Sequence, residues 1–455
     1  MDDIRKVIKK NSPPAVVLQT LRTALTMPPA AARNIIKDLT RPLGDQKRFI
    51  RKFNNEHWKG TLIMSEMIRC DDDIAIQRLK KADIVIFEVH GGGFRVGHST
   101  MYMESFISWL RLIKSKYNLY ACIMSVEYGL APMHKYPGPL NDCVKAFDYL
   151  TNDLGISPSK IVLSGDSAGG ALVLETLIQT YAPAILKDLS APRENFDKPL
   201  PAAALLSSPL VSGVIETESW KLFHKTDVVS MGLSKLIYKE YLGLPETKIE
   251  DLPIMRLHHV KSNFDRFMPK NVMVFIGDKE VLRDDVVNMV DAVKKDGKIN
   301  IQFIKENYAH DWFMIHELIK KKDKHLIAKY DEMFVDFCVD AVEQARKSLV
   351  DTTATTNSTV KNTRKASEDT ININETIDVD QLVANDNHHH ITSEKKPIVD
   401  VEKNITDITK KFDEPFELFE KINFPAAPAI VHKPNTILSE YAIITDRPSK
   451  NSVSV

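Results

Sequence analysis

The sequence predicts an α/β protein with a mostly parallel central sheet covered by helices, and three observations carry that prediction. Short apolar, β-branched runs fall at 61–68, 83–89 (DIVIFEV), 119–126, 161–164, 202–207, 271–276 (NVMVFI) and 299–304. Helical periodicity occupies roughly 100–115, 139–152, 168–183, 284–295 and 323–347, between and after those runs. The period switches from two to 3.6 at spacings that suit strand–helix–strand units, whose strands lie parallel under a helical cover.

The elements can be justified in chain order. Residues 13 to 40 hold two helical patterns, VVLQTLRTAL and AAARNIIKDL, broken at Pro28 and Pro29. Their apolar residues recur at three and four positions, which predicts docking on a core; the same stripe on the first segment would also suit a membrane surface. Residues 1–60 are therefore expected to add helices to a cap or to the surface, and 61–349 to form the main α/β domain. Within it, 212–260 breaks the alternation with one helical segment, MGLSKLIYKEYLG, and scattered polar residues, as a cap insertion over the ligand side of the sheet would. Beyond 349 the texture changes to DTTATTNSTVKNTRKASEDT, which can bury too little to offset its ordering entropy. Residues 350–455 are expected to form a disordered tail, with an aromatic patch at 411–443 and an incidental triplet, His388 to His390.

Composition narrows the function classes. The 61 basic and 61 acidic side chains cancel, so no net field points to nucleic acid or to an acidic substrate. The four cysteines (Cys70, Cys122, Cys143 and Cys338) are dispersed, which predicts free buried thiols in a reducing compartment. MDDIRKVIKK leads into no secretory apolar core, and no window is long and apolar enough to span a bilayer. The expected location is cytoplasmic, with room for peripheral contact at the endoplasmic reticulum or another lipid surface.

The chemistry is concentrated in a few stretches. IVLSGDSAGG sets Ser167 between Gly165 and Gly169 after a strand candidate and before the helical ALVLETLIQ. A serine nucleophile on so tight a strand-to-helix bend needs small neighbours two residues to either side, and this pattern supplies them. HGGGF, from His90 to Phe94, follows another strand candidate. Acyl transfer builds charge on a carbonyl oxygen, and backbone amides aimed there stabilise it; Gly91, Gly92 and Ala168 are the expected donors, with His90 and Gly93 in support. Asp166 adjoins the serine too closely to reach behind a histidine, so a supporting hydrogen bond to backbone or loop is its expected role.

These motifs, with VEYGLAP at 126–132 and YPGPLND at 136–142, resemble the hormone-sensitive-lipase-like branch of the α/β-hydrolase esterases. The resemblance runs from about residue 60 to 345. It implies an α/β-hydrolase fold, oxyanion donors on the first motif and the nucleophile at Ser167. The family usually has Asp-Tyr-Arg-Leu-Ala-Pro where this chain has Glu127-Tyr128-Gly129-Leu130-Ala131-Pro132, a change that removes a structural salt bridge.

Ser167 needs a base. His310, in ENYAHDWF, lies past a strand candidate and before a helix, where the family expects its histidine. His224, His258, His259, His316 and His325 compete, the last two expected on the surface of a helix. In FIGDKEVLRDD the acid could be Asp278, Glu280, Asp284 or Asp285. The family frame, an acid followed by any residue, Leu, any residue and Asp, selects Glu280 in place of the usual aspartate. Asp278 is the rival, and Asp284 is expected to serve as a structural carboxylate at a helix start.

The expected function is a serine carboxylic-ester hydrolase acting through an acyl-enzyme on short-acyl esters of small or hydrophobic alcohols, with no metal or organic cofactor. The rivals are a ligand-binding or scaffolding protein on the same fold, and an amide or formamide hydrolase. The expected partner is a small-molecule ester, with no nucleic acid.

Overall fold

Eight strands form a single sheet in the order β1-β2-β4-β3-β5-β6-β7-β8. They are β1 (Ile50–Asn54), β2 (Lys59–Ile63), β3 (Ile84–Val89), β4 (Ala121–Val126), β5 (Ile161–Asp166), β6 (Ala203–Ser207), β7 (Asn271–Gly277) and β8 (Asn300–Glu306). The first two run antiparallel to their neighbours, and the six from β4 to β8 are parallel to one another. The computed structural model describes residues 12–367 apart from 187, 189–191, 195–197, 214, 244–256 and 258, all within the compact unit Met1–Asn372. His258, the 388–390 triplet and the 411–443 patch lie outside the described residues.

Apart from the edge strand β8, the parallel strands are buried on both faces, which is why β3, β4, β5 and β7 read as continuous apolar runs. One face is covered by α4 (Met103–Tyr117) and α10 (His325–Ser367), whose Phe106, Trp109, Phe334 and Val335 meet strand side chains such as Ile86 and Phe275. Buried Asp331 accepts Trp109 Nε1–H at 2.7 Å and the Ser108 hydroxyl at 2.6 Å, joining the two helices by charge-assisted bonds. α10 continues to Ser367, beyond the change of composition at 349.

The other face is covered by α3 (Asp72–Lys81), α5 (Gly138–Asp148), α6 (Ser167–Tyr181) and α9 (Arg283–Asp296). α6 is buried on nearly every side, with Gln179 its one exposed residue, and so carries no amphipathic stripe. α3 and β1 were not expected from the sequence. α3 is capped by Asp71, whose carboxylate accepts the Ile74 amide at 2.8 Å; its acids lie in the first turn and its bases in the last.

Two helices from the N-terminus, α1 (Pro14–Thr26) and α2 (Pro29–Thr40), lie over the site with α7 (Glu218–Phe223) and α8 (Met231–Leu236) from the 212–260 stretch. Both N-terminal helices start with proline at their first position, where the missing amide costs nothing. Buried Arg95, just after the glycine loop, pairs with Glu240 at 2.7 Å and donates to the Leu25 and Met27 carbonyls at the end of α1. Arg33 of α2 donates to the carbonyls of Arg95 and Ala131 at 3.0 and 2.6 Å. Phe94 stacks on Tyr241 with ring centroids 3.8 Å apart. The cap is thus tied to the loop that follows β3. No described helix is long and apolar enough to cross a membrane.

Candidate active site

The residues singled out by their chemistry emerge at the C-terminal ends of neighbouring strands: the glycine loop after β3, Ser167 after β5, Glu280 after β7 and His310 after β8. Parallel pairing leaves the carboxyl edge of such a sheet as a crevice in which loops converge.

Ser167 has φ of 49° at the first position of α6, the strained geometry of a nucleophile elbow. Its glycine neighbours are needed for space. A Cβ on Gly169 would lie 1.9 Å from the Val89 carbonyl oxygen, and one on Gly165 would lie 2.6 Å from that of Gly169. Ser167 Oγ stands 2.8 Å from His310 Nε2, and His310 Nδ1 stands 3.2 Å from Glu280 Oε1. The other Glu280 oxygen accepts the Gly277 amide and the Ser208 hydroxyl, each at 2.7 Å. Exposure is 8% for Ser167, 3% for His310 and 0% for Glu280, so little water competes for these bonds.

Burial is the largest influence on the His310 imidazole and opposes its charge. The Glu280 hydrogen bond and the charges of Glu280, Asp227 and Asp166 outweigh it, and the imidazole is lifted above the ordinary histidine value. A carboxylate on one nitrogen and a hydroxyl on the other is an arrangement suited to proton transfer from Oγ.

The oxyanion assignment needs one correction. The Gly91 amide donates to Asp166 Oδ1 at 2.9 Å, so that donor is spent inside the protein. Asp166 also accepts the Tyr102 hydroxyl at 2.6 Å, and a Cβ on Gly91 would lie 2.1 Å from its carboxylate. Gly92 and Gly93 instead border the space beside Ser167, which Ala168 also lines. His90, buried beneath the loop, contacts the Gly91 carbonyl through Nδ1 at 2.8 Å and stacks on Tyr128.

The rival residues lie elsewhere. Asp278 is half-buried and makes its contacts away from His310, pairing with Lys305 at 3.2 Å. Asp284 accepts the Ser219 amide at 2.7 Å and pairs with Arg283 at 2.8 Å in the first turn of α9. His259 and His325 are exposed, and His224 offers its carbonyl to Arg22. His316 differs from expectation: it is half-buried in a short turn, meets Ser105 at 3.2 Å and lines the cavity. Gly129 donates its amide to Asp142 at 2.8 Å, and a Cβ there would strike the His134 side chain, so a larger residue at that position would require His134 to move.

Three polar residues of the site were not found in the sequence. Ser208 serves Glu280. Asp227 accepts the backbone amide of His310 at 2.9 Å, and burial before all else raises its carboxyl to about 6. Asp311 accepts the Ser207 hydroxyl at 3.0 Å; burial, then the charge of Asp166, holds its carboxyl well above the usual range. None carries a local motif, since each acts through a contact made by the fold.

Two spaces meet at Ser167. The larger, about 560 Å³, is mainly apolar and is lined by Leu21, Leu25 and Val17 of α1, by Ile36 of α2, and by His310 and Met314. The smaller, about 30 Å³, is walled by Leu210, Trp220, Tyr238 and Leu282.

A family model described as alpha/beta hydrolase fold matches residues 86–314, a little over half of the chain. Lipase 2 of Moraxella sp. (strain TA144) is 28% identical over 228 residues, 46% of this chain and 49% of that protein. Arylacetamide deacetylase of Mus musculus is 34% identical over 103 residues, 21% of this chain and 25% of that protein. The chain thus spans about half the length of the first relative and a quarter of the second. Among solved structures, an esterase from the bacterial hormone-sensitive lipase family superposes with a TM-score of 0.51 at 22% identity, covering 70% of this chain and 98% of the other. An esterase/lipase from an uncultured bacterium gives 0.51 at 22% identity, over 71% and 98%. At such identity the likeness speaks for the fold alone, and it agrees with the family match: this chain belongs to the α/β-hydrolase fold family.

Proposed function

We propose that this protein is a serine carboxylic-ester hydrolase that works through an acyl-enzyme. The observation that carries the proposal is His310 lying between Ser167 Oγ and Glu280 at hydrogen-bonding distance from both. In this scheme His310 takes the Ser167 proton as Oγ attacks the ester carbonyl, and Glu280 stabilises the imidazolium. The amides of Gly92, Gly93 and Ala168 hold the oxyanion. His310 then protonates the departing alcohol, and water activated by the same imidazole releases the acid.

The unequal spaces support a substrate class. The leaving oxygen must come within about 2.6–3.2 Å of His310 Nε2, which directs the alcohol into the space that His310 lines. That space, about 560 Å³ and largely apolar, suits a bulky hydrophobic alcohol. The acyl group is left with about 30 Å³ behind Trp220, room for an acetyl methyl. Val16 and Leu39 line the larger space and are 55% and 48% exposed, which suits a substrate drawn from an apolar phase and peripheral contact with a lipid surface. The free, buried cysteines favour a reducing, cytoplasmic setting.

Hydrolysis of 1-naphthyl acetate and 1-naphthyl octanoate by wild type and Ser167→Ala tests the proposal. Acetate turnover should exceed octanoate turnover, and Ser167→Ala should abolish both; equal rates in wild type and variant would end it. Trp220→Ala should then raise octanoate turnover relative to acetate by about tenfold.

A further inference from the structure

The carboxylate of Asp227 sits beneath the candidate triad without touching Ser167. Asp227 is fully buried between α7 and α8, elements that carry none of the triad. Oδ1 accepts the His310 amide at 2.9 Å and its neighbour Val228's amide at 2.8 Å, while Oδ2 accepts the Val281 amide at 2.9 Å. Val281 directly follows Glu280, so one side chain grips both the loop of the acid and the loop of the base. Backbone bonds nearer the strands, from the Asp278 amide to the Glu306 carbonyl and from the Lys279 amide to the Tyr308 carbonyl, join these loops upstream of the triad residues, and the Ser208 hydroxyl bridges Glu280 to the Asp311 amide on the other side.

The same turn is held from the cap. Arg22 of α1 donates to the carbonyl of Asp227 through one guanidinium nitrogen and to that of His224 through another, each at 2.6 Å. α1 also presents Val17, Leu21 and Leu25 to the larger cavity. A continuous path of polar contacts therefore runs from a cavity-lining helix to the backbone beside Glu280 and His310.

We infer that Asp227 is a positioning residue that holds Glu280 and His310 in register, and that Arg22 ties this clasp to the helix lining the larger cavity. The inference rests on the hydrolase role of Ser167. Asp227→Asn preserves shape but sets an amide donor against an N–H it formerly accepted, which loosens one loop or the other. Misplacing a catalytic group by a fraction of its bond length lowers rate more than substrate affinity.

The test follows the labelling rate of Ser167 by a fluorophosphonate probe, together with kcat and KM for 1-naphthyl acetate. It compares wild type, Asp227→Asn, Arg22→Gln, their double variant and Ser167→Ala, each at matched folded fraction. Asp227→Asn should lower both labelling rate and kcat about 10- to 100-fold with KM within about twofold. Arg22→Gln should lower them about threefold, and the double variant should be no slower than Asp227→Asn alone, as expected of residues acting through each other. Should Asp227→Asn not fold, the Arg22→Gln rate decides. Labelling at the wild-type rate by every folded clasp variant, with Ser167→Ala silent, overturns the inference and leaves the hydrolase role standing. A loss confined to KM overturns it as well. Additive losses remove Arg22 from the clasp. A wild type that does not label overturns both the role and the inference.

Discussion

The carboxyl edge of the sheet and the interior of α6 both bury acidic side chains, yet they treat them in opposite ways. At the edge, Glu280 and Asp227 receive five hydrogen bonds from named donors, and Glu280 adds its contact with His310. Inside α6, both oxygens of Glu175 are buried with no hydrogen-bond partner among the described residues, and burial pushes its carboxyl up to about 8. The difference teaches that burial alone does not make an acid useful. Donors aimed at a carboxylate offset part of the cost of burying its charge, whereas an unpartnered carboxyl has nothing to offset it.

The strongest challenge to this contrast is Glu280→Gln. Removing the charge behind His310 should lower kcat by roughly 10³- to 10⁴-fold in a steady-state ester assay. Next comes the pH profile. The base works only when neutral, and the pKa of His310 is raised, so the acid limb of kcat/KM should have its midpoint above 6.5. Glu280→Gln removes the largest influence raising it, and the limb of the residual activity should move to lower pH.

Glu175→Gln tests the other side. The folded carboxyl titrates near 8 against 4.5 when exposed, so folding retains a proton that the unfolded chain loses between those values. The stability this group contributes is complete below about 4.5 and is lost as pH rises through about 8. Thermal melts should therefore show wild type falling behind Glu175→Gln progressively from pH 5 to pH 8, with ester turnover changed by less than about twofold. The smallest effect belongs to Asp278→Asn: a surface ion pair is worth about 0–1 kcal/mol, and turnover should stay within about twofold of wild type. A larger loss for Asp278→Asn than for Glu280→Gln would reverse the choice of acid.

Much of the strand and helix order was legible because parallel strands buried on both faces leave unbroken apolar runs. β1 was not, since Phe53 is the one side chain it buries and its remaining residues alternate weakly. α3 was hidden by IAI, which reads locally as a strand; its capping acid settles the matter only once the helix exists. Ser167 and the glycine loop were visible because the chemistry needs small residues at fixed local spacing. The Gly91 donor was misread because which of three glycine amides faces outward depends on a carboxylate 75 residues away in the chain. Asp227 could not be found in TDVVS, whose pattern says nothing of the two loops it meets in space.

Arg95 has a consequence for how the protein can be divided. Its guanidinium is sealed from water and depends on two carbonyls at the end of α1, outside the 86–314 stretch that matches the family. A gene fragment trimmed to that stretch would keep Glu240 but lose both carbonyl acceptors, uncovering the ion pair beside the glycine loop. Residues 14–40 thus help to hold the cap on the glycine loop, and expression boundaries drawn from homology alone would remove them.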